Sequence, residues 1–542
     1  MIVALRTSTG LTLGPTRVAL MVTALSGVFV LAVGARLIDG TPIAEDAAQN
    51  LQMAVNLDHH GVMSLDDTAP FTPTMYREPL PIATGAAVVW AVDRVLGVGH
   101  AGEYFSGERV HLAKLENLAW LMLLWAAAIA ATRFLGGSWA WSIAAGLLAA
   151  RPFLSATSAE GVNNFYTELP AAALLLCSSL ALALAVCRGR ALGYALAGVC
   201  WGCLALTKAS ALYVFLGVVL VLLLTSWRGG SIRLPRLGHT LLLALAGAAV
   251  VLPWMGRNWV HFDEPQISER GGLAVYTRAL MNDMSPEEYR GSFYVWARPV
   301  LQPYVGALLG YGARDLRLGG RLQRLEGGSG NEVDEHDREA EITGRTADAI
   351  TFYRRGRAER ERLTQLYERS GLPHPDVLSD RQLAHQGLAM IEHAPLRDLA
   401  VSLPALWHSA LWTFPVLLMA VVYALRIGSE GALFFALPCL ALLAFFALLT
   451  PSELRPAIVA VPIAVVSLAW MAETLWRRRR HPRWADPVSG DPGRSPAGAG
   501  RGAPGQIQRR GLAAMFSSTR SDCSAHRAQV SGSTRSSPEA MS

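Results

Sequence analysis

Two adjacent carboxylates, Glu45 and Asp46, stand in the stretch Thr41-Pro42-Ile43-Ala44-Glu45-Asp46, a few residues past the first long apolar run of this 542-residue chain. Carboxylates this close to a bilayer can orient a hydroxyl on a membrane-borne substrate or accept its proton. The same residues also suit plain structure, with Pro42 starting a surface helix whose first-turn acids meet the positive end of its dipole. Glu168 opens another apolar run and divides between the same two roles. Lys208 is less ordinary. Only two Lys occur among the 48 Lys and Arg residues, and this one interrupts an apolar hairpin. A charge at membrane depth costs roughly 2.5–3.5 kcal/mol, so it serves a site or snorkels to the interface.

Other groups with reactive side chains are better read as structure. His59-His60 with Asp58, Asp66 and Asp67 has metal-ligand chemistry, but adjacent His side chains seldom converge on one ion. Cys200-Trp-Gly-Cys203 has redox or metal spacing, yet it lies in AGVCWGCLALT, where Cys packs as a small apolar residue. The acidic run Asn331 to Asp337 lacks the glycine and spacing of a calcium loop and reads as a solvated turn. No Gly-rich nucleotide fingerprint stands out.

The elements that must hold these residues are membrane helices. Hydrophobic residues make up 52% of the chain and charged ones 17%, against about 25% charged in a soluble domain. Eleven apolar runs, at 18–35, 80–97, 115–132, 138–150, 168–187, 191–207, 209–227, 239–254, 401–425, 430–450 and 457–475, predict helices, because lipid offers backbone groups no other partner. Arg188, Arg190, Arg228, Arg233, Arg236, Arg426 and Arg477 to Arg480 place their short connectors in the cytoplasm. The loops 39–79, 256–398 and 451–456 then face outward, with the turn at Lys208. Eleven full crossings from a cytoplasmic N-terminus cannot end in the cytoplasm, so the region 80–167 holds one run too many or too few.

The net charge of +6 does not indicate a nucleic-acid partner. Residues 477–542 hold twelve Arg and four acids, so the rest of the chain is slightly acidic, and this Gly, Pro, Ser and Arg-rich tail reads as disordered. Residues 256–398 hold 41 of the 90 charged residues in 143 positions, a density that belongs in water. There, 335–369 predicts one solvated helix and 379–393 a second, ending before Pro395.

Several segments together resemble GT-C membrane glycosyltransferases. Glu45-Asp46-Ala47-Ala48, Ala54-Val55-Asn56-Leu57, Gly61-Val62 and Tyr76-Arg77-Glu78-Pro79-Leu80-Pro81 are similar to the first outer loop of the protein O-mannosyltransferases and the bacterial lipid A aminoarabinose transferases. Thr167-Glu168-Leu169, Gly202 to Lys208, Leu252-Pro253-Trp254-Met255-Gly256-Arg257-Asn258, Ala389 to Pro395 and Glu453-Leu454-Arg455 follow in the family's order, covering about residues 18–475. Glu78 stands where a second Pro is common. The resemblance implies an all-α integral membrane protein, a GT-C-like bundle of about 10–12 transmembrane helices with a large extracytoplasmic loop domain. It divides into a membrane module at 1–255 with a catalytic loop at 39–79, the loop domain 256–398, terminal membrane helices at 399–476 and the basic tail 477–542.

By register, the resemblance makes Asp46 the catalytic carboxylate. Sugar transfer outside the cell cannot use cytoplasmic nucleotide-sugars, so the implied donor is a polyprenyl-phosphate-linked sugar in the bilayer. The acceptor is a lipid, glycan or protein, and the reaction an inverting hexosyl or pentosyl transfer. The departing phosphate calls for outer-face cations, for which Arg77, Lys208, Arg257 and Arg455 are candidates beside Glu45, Glu168 and Asn258. No cofactor is implied, and a divalent ion is compatible with the family. The preference for Arg with abundant Ala and Gly suggests a GC-rich bacterial genome and hence a bacterial plasma membrane. A transporter or flippase of a lipid-linked saccharide is the alternative, with charges near mid-membrane. A scaffold using the Arg-rich loop would be indifferent to Asp46.

Overall fold

The structure, a computed structural model, describes residues 14–155, 160–228, 231–232, 234–325, 331–451 and 455–480. The tail 481–542 and the tip Glu453-Leu454 lie outside these, as does the Arg455 side chain. In chain order the first helices are α1 (Pro15–Leu37), α2 (Glu45–His60), α3 (Pro79–Leu96), α4 (Ala101–Phe105), α5 (Val110–Ala113), α6 (Glu116–Phe134) and α7 (Trp139–Ala150). Then come α8 (Glu168–Arg188), α9 (Ala191–Ala205), α10 (Ser210–Ser226) and α11 (Leu234–Phe262). Among the described residues, strand is confined to an antiparallel pair of two-residue segments, Trp227–Arg228 with Ser231–Ile232.

The loop domain holds α12 (Gly271–Leu280), α13 (Pro286–Val295), α14 (Gln302–Leu309), α15 (Glu332–Thr343), α16 (Phe352–Arg369) and α17 (Pro375–His393). Helices α18 (Pro395–Ala410), α19 (Thr413–Ile427), α20 (Glu430–Leu449) and α21 (Arg455–Arg480) complete the chain. Seven helical stretches among the described residues are long and apolar enough to cross a membrane, and α18 with α19 would make an eighth but for a 102° bend. Ten of the eleven apolar runs read from the sequence fall on single helices, whereas the run 401–425 is the end of α18 and most of α19, broken at residues 411–412 by that bend. The protein is an all-helical, multi-pass membrane protein with a large helical loop domain.

The bundle core joins α6, α8, α9, α20 and α21 through Leu121, Leu176, Trp201, Phe435 and Ile463, all fully buried. Lipid supplies no hydrophobic drive between helices, so close backbone approach replaces it. Gly198 and Gly202 on α9, four residues apart, face the backbone of α11. A Cβ at Gly202 would stand 2.7 Å from Val250 Cβ and 3.0 Å from the Gly247 carbonyl. Cys200 and Cys203 are unpaired thiols on this same packing helix, in keeping with the packing reading.

Between α1 and α6 the chain makes an excursion. Helices α2 and α3 lie side by side and run the same way: Asp46 meets Arg77 at their starts, Ala54 sits against Gly85 midway, and His59 meets Asp93 at their ends. Ala47, Leu51, Ala54 and Val55 form the buried face of α2, which stops at Gly61 in the left-handed conformation (φ 70°). The other lysine, Lys114, closes the excursion. Fully buried, it donates to the Thr41 carbonyl (2.7 Å), the Asp39 carbonyl (3.1 Å) and Asn163 Oδ1 (3.0 Å), so the end of α1 and the start of α6 meet.

The loop domain corrects two readings. The single helix expected over 335–369 is two, because Gly344 (φ 65°) ends α15 and Thr351 caps α16. The acidic run is the first turns of α15 rather than a solvated turn. Its Asp337 is fully buried and accepts bonds from Ile350 N, Thr351 N and Thr351 Oγ1 at 2.7–2.9 Å, holding the return of the chain.

Candidate active site

Asp46 is in the first turn of α2, about a quarter exposed. Pro79 at the first turn of α3 fixes the approach of Arg77, whose Nη2 donates to Asp46 Oδ1 at 2.5 Å and also to Gln49 Oε1, one turn further along α2. A second guanidinium reaches the same oxygen from the loop domain, with Arg270 Nη1 3.6 Å away. Tyr76 is the hub between the two loops. The guanidinium carbons of Arg270, Arg77 and Arg360 lie 5.1, 5.3 and 5.6 Å from its ring centre. The Nε–H groups of Arg77 and Arg360 are buried without a partner, although a buried donor is ordinarily satisfied. Glu45, immediately before Asp46, adopts φ 54°. A non-glycine residue in that region costs of order 1–3 kcal/mol and is held only by its surroundings.

The other sequence candidates fall around this centre. Tyr166 OH donates to Glu45 Oε2 at 3.4 Å, and two residues on, the buried Glu168 accepts from Lys208 Nζ at 3.0 Å. Glu78 Oε1 accepts from Ala209 N at 3.4 Å, tying the Lys208 turn to the segment after Arg77. Glu45, Asp46, Arg77, Glu168 and Lys208 are therefore joined by one series of contacts. Arg257 and Asn258 sit behind it and face backbone. Arg257 Nη1 donates to the Thr74 carbonyl (3.1 Å), with its guanidinium over Trp254. Asn258 is fully buried and donates to the Gln266 carbonyl (2.6 Å), while Trp254 Nε1 donates to the Ile267 carbonyl (2.9 Å). The Pro-Trp-x-x-Arg-Asn element thus fixes the strand of chain that delivers Glu269 and Arg270.

No family model matches the chain, and no curated protein does. Among solved structures it is similar to three of the oligosaccharyltransferase of the archaeon Archaeoglobus fulgidus. The first, of AglB with an inhibitory peptide and a dolichol-phosphate, is 12% identical with a TM-score of 0.42 over 86% of this chain and 52% of that one. The second, with Zn and sulfate, is 13% identical (TM-score 0.43) over 84% and 50%. The third, tethered to an acceptor peptide through a disulfide bond, is 11% identical (TM-score 0.42) over 85% and 51%. The chain spans about half the length of those proteins.

Sequence reading missed Arg270, Arg360 and Gln49 and gave Tyr76 no role. The signal for Arg270 was its position, in Ser268-Glu269-Arg270-Gly271-Gly272 just past the Asn258 element, and Arg360 and Gln49 had none. Beside Tyr76 and Arg270, a cavity of about 260 Å³ is walled further by Arg357, Arg360, Glu361 and Asp376. Glu269, which pairs with Arg360 at 3.0 Å, is pushed up to about 7, chiefly by burial, with Arg360 opposing. Asp380 is raised to about 6 for the same reason, opposed by the Leu273 and Gly272 amides it accepts from at the start of α12. The metal grouping suggested by the sequence is rearranged. His60 stacks on Phe71 and Asp66 holds Thr72, so neither joins His59. Instead Asp58, His59 and Asp93 converge, and Asp93 also takes Tyr104 OH (2.5 Å) and Arg109 Nη1 (2.6 Å). The His59–Asp93 pair ties the end of α2 to the end of α3, and Arg109 brings a guanidinium to the same carboxylate.

Proposed function

We propose that this chain is a membrane glycosyltransferase that moves a sugar from a polyprenyl-phosphate donor to an acceptor hydroxyl at the extracytoplasmic face of a bacterial plasma membrane. The reading is carried by the convergence of Arg77 and Arg270 on Asp46, beside two buried guanidinium donors with no partner. Such a set is arranged for a group that is both an anion and a hydroxyl-transfer centre. In the reaction, Asp46 takes the proton of the acceptor hydroxyl as its oxygen attacks the anomeric carbon from the face opposite the phosphate. The bond from that carbon to the phosphate oxygen breaks, and its electron pair leaves on the polyprenyl phosphate, whose charge Arg77 and Arg270 take up. The configuration at the anomeric carbon inverts. Glu168 and Lys208 hold the neighbouring turn, Arg257 and Asn258 position the 263–270 segment, and Glu45 sets the Asp46 backbone. The wall of Tyr76, Arg270 and Arg360 is where the acceptor enters.

A parity for the bundle is part of the same proposal. With Lys114 joining the end of α1 to the start of α6, a lone crossing by α3 would require residues 97–113 to cross back. Those carry Glu103, Glu108 and Arg109, and their two helices have only five and four residues, far from the roughly 20 apolar residues a span needs. In our proposal α3 stays with α2 on the outer surface and the catalytic loop extends over 39–113. The crossings are then α1, α6 to α11 and α19 to α21, an even number.

The test is transfer by purified protein in vesicles given radiolabelled polyprenyl-phosphate mannose, glucose or arabinose with membrane acceptors. Wild type should move label to product, and Asp46→Asn should lose about 10²–10⁴-fold in rate, the span of a general base, while binding donor normally. Label that changes leaflets without transfer, equally in both proteins, would replace this reading with the flippase.

A further inference from the structure

Two helices of the loop-domain side expose apolar faces where a water-facing domain should be charged. Residues 299–313 contain no Asp, Glu, Lys or Arg, although 41 such residues occupy the 143 positions 256–398. On and just before α14, Val300, Tyr304 and Leu308 repeat at intervals of four and are 78%, 74% and 83% exposed. On α18, Leu396, Leu399 and Leu403 form one helical face and are 81%, 58% and 58% exposed. The opposite face of α18 is polar and buried, with Asp398 and Ser402 taken up by Arg278. Exposed Arg298 and Arg314 bracket the apolar stretch.

We infer that α14 and α18 lie in the membrane interface on the loop-domain side, with these faces in contact with lipid. The loop domain touches α18 along most of its length: Arg397 donates to the Met284 carbonyl, Tyr289 OH to the Ala400 carbonyl (3.2 Å) and Trp407 Nε1 to the Phe293 carbonyl (3.0 Å). From 397 to 407 the helix advances about 15 Å. A descending α18 would carry α13 and its polar groups that far into hydrocarbon, about half the core thickness. The 102° turn into α19 removes the difficulty, because α18 then lies flat and α19 enters the membrane. Continuity decides for lipid over a protein partner. The leucine face of α18 runs directly into a membrane helix, α13 fastens α14 to α18, and a tyrosine with flanking arginines suits the headgroup layer.

The experiment places the photocrosslinker p-benzoylphenylalanine at Tyr304, Leu308 or Leu399 of the full chain in vesicles of tritiated phosphatidylethanolamine and phosphatidylglycerol. Phe29, exposed on α1, is the lipid-facing control, and Leu366, exposed on α16, the water-facing one. All are exposed positions, so each variant should elute as the wild type does. The expected result is lipid adduct at 304, 308 and 399 comparable to position 29 and about tenfold above position 366, as for a helix sunk in the interface. Adduct at the level of position 366 overturns the inference, and so does crosslinking of 304 or 308 to a second polypeptide.

Discussion

Two Arg–Asp pairs of this protein, Arg278–Asp398 and Arg77–Asp46, are built oppositely. Arg278 is fully buried at the root of the loop domain. Beyond its ion pair with Asp398 (3.1 Å), it donates to the Ala447 and Asp398 carbonyls, Ser402 and Asn282, so its donors are spent on structure. Arg77 is nearly as buried, yet its Nε has no partner, and the Asp46 it holds is partly open and shared with Arg270. A pair satisfied on all sides fixes one domain on another. An unsatisfied pair at a strained helix start, next to a cavity, leaves capacity for something that arrives later.

That contrast breaks first at Arg278. Arg278→Met leaves Asp398 buried and unpaired, which should destabilise by about 3–5 kcal/mol, read as a large drop in melting temperature in detergent. Arg77→Met should instead leave melting close to wild type and lower transfer by about 10²–10³-fold, the effect of one lost electrostatic donor at a transition state. If the two variants exchanged phenotypes, with Arg77→Met unfolding and Arg278→Met folded but inactive, the assignment of the pairs would be reversed.

The Lys208–Glu168 pair stands between these extremes. Glu168 is buried with one oxygen already unpartnered, so Lys208→Met should cost about 1–3 kcal/mol. Adding Glu168→Gln should return most of that stability. A double variant that is stable but still slow in transfer would show that Lys208 contributes charge to the reaction. Recovery of both stability and rate would make the pair a turn fastener only.

The apolar runs were legible because lipid enforces helix, and the first-loop carboxylate and Arg77 were legible through local motifs. What the sequence could not show was pairing across distance. That α2 and α3 lie parallel depends on contacts between residues about 30 apart, Asp46 with Arg77, Ala54 with Gly85 and His59 with Asp93, and apolar length alone makes α3 look like a span. Arg270 and Arg360 come to Tyr76 from a domain whose charges, read along the chain, look like solvated helix faces. Gly344 breaks a helix whose periodicity runs on without pause. Arg257 and Asn258 carried a strong motif, yet they bind backbone, because a polar residue at a helix end serves a turn as readily as a ligand.

The smallest effect concerns the ties between the α16–α17 pair and the site, and it is a matter of pH. Glu269 is raised from 4.5 to about 7 and Asp380 from 3.8 to about 6, both chiefly by burial. A raised acid binds more protons folded than unfolded, so stability is greatest at low pH and falls as pH rises from the unfolded value to the folded one. Wild type should therefore lose melting temperature between about pH 4 and 7 through these two groups and level off above. Glu269→Gln keeps a neutral partner for Arg360 and removes the upper part of the window, so the decline should end near pH 6, where Asp380 has finished titrating. A decline in Glu269→Gln that still ended near pH 7 would show that another group holds the proton. Arg360 would then be free to act at Tyr76 independently of its buried acid.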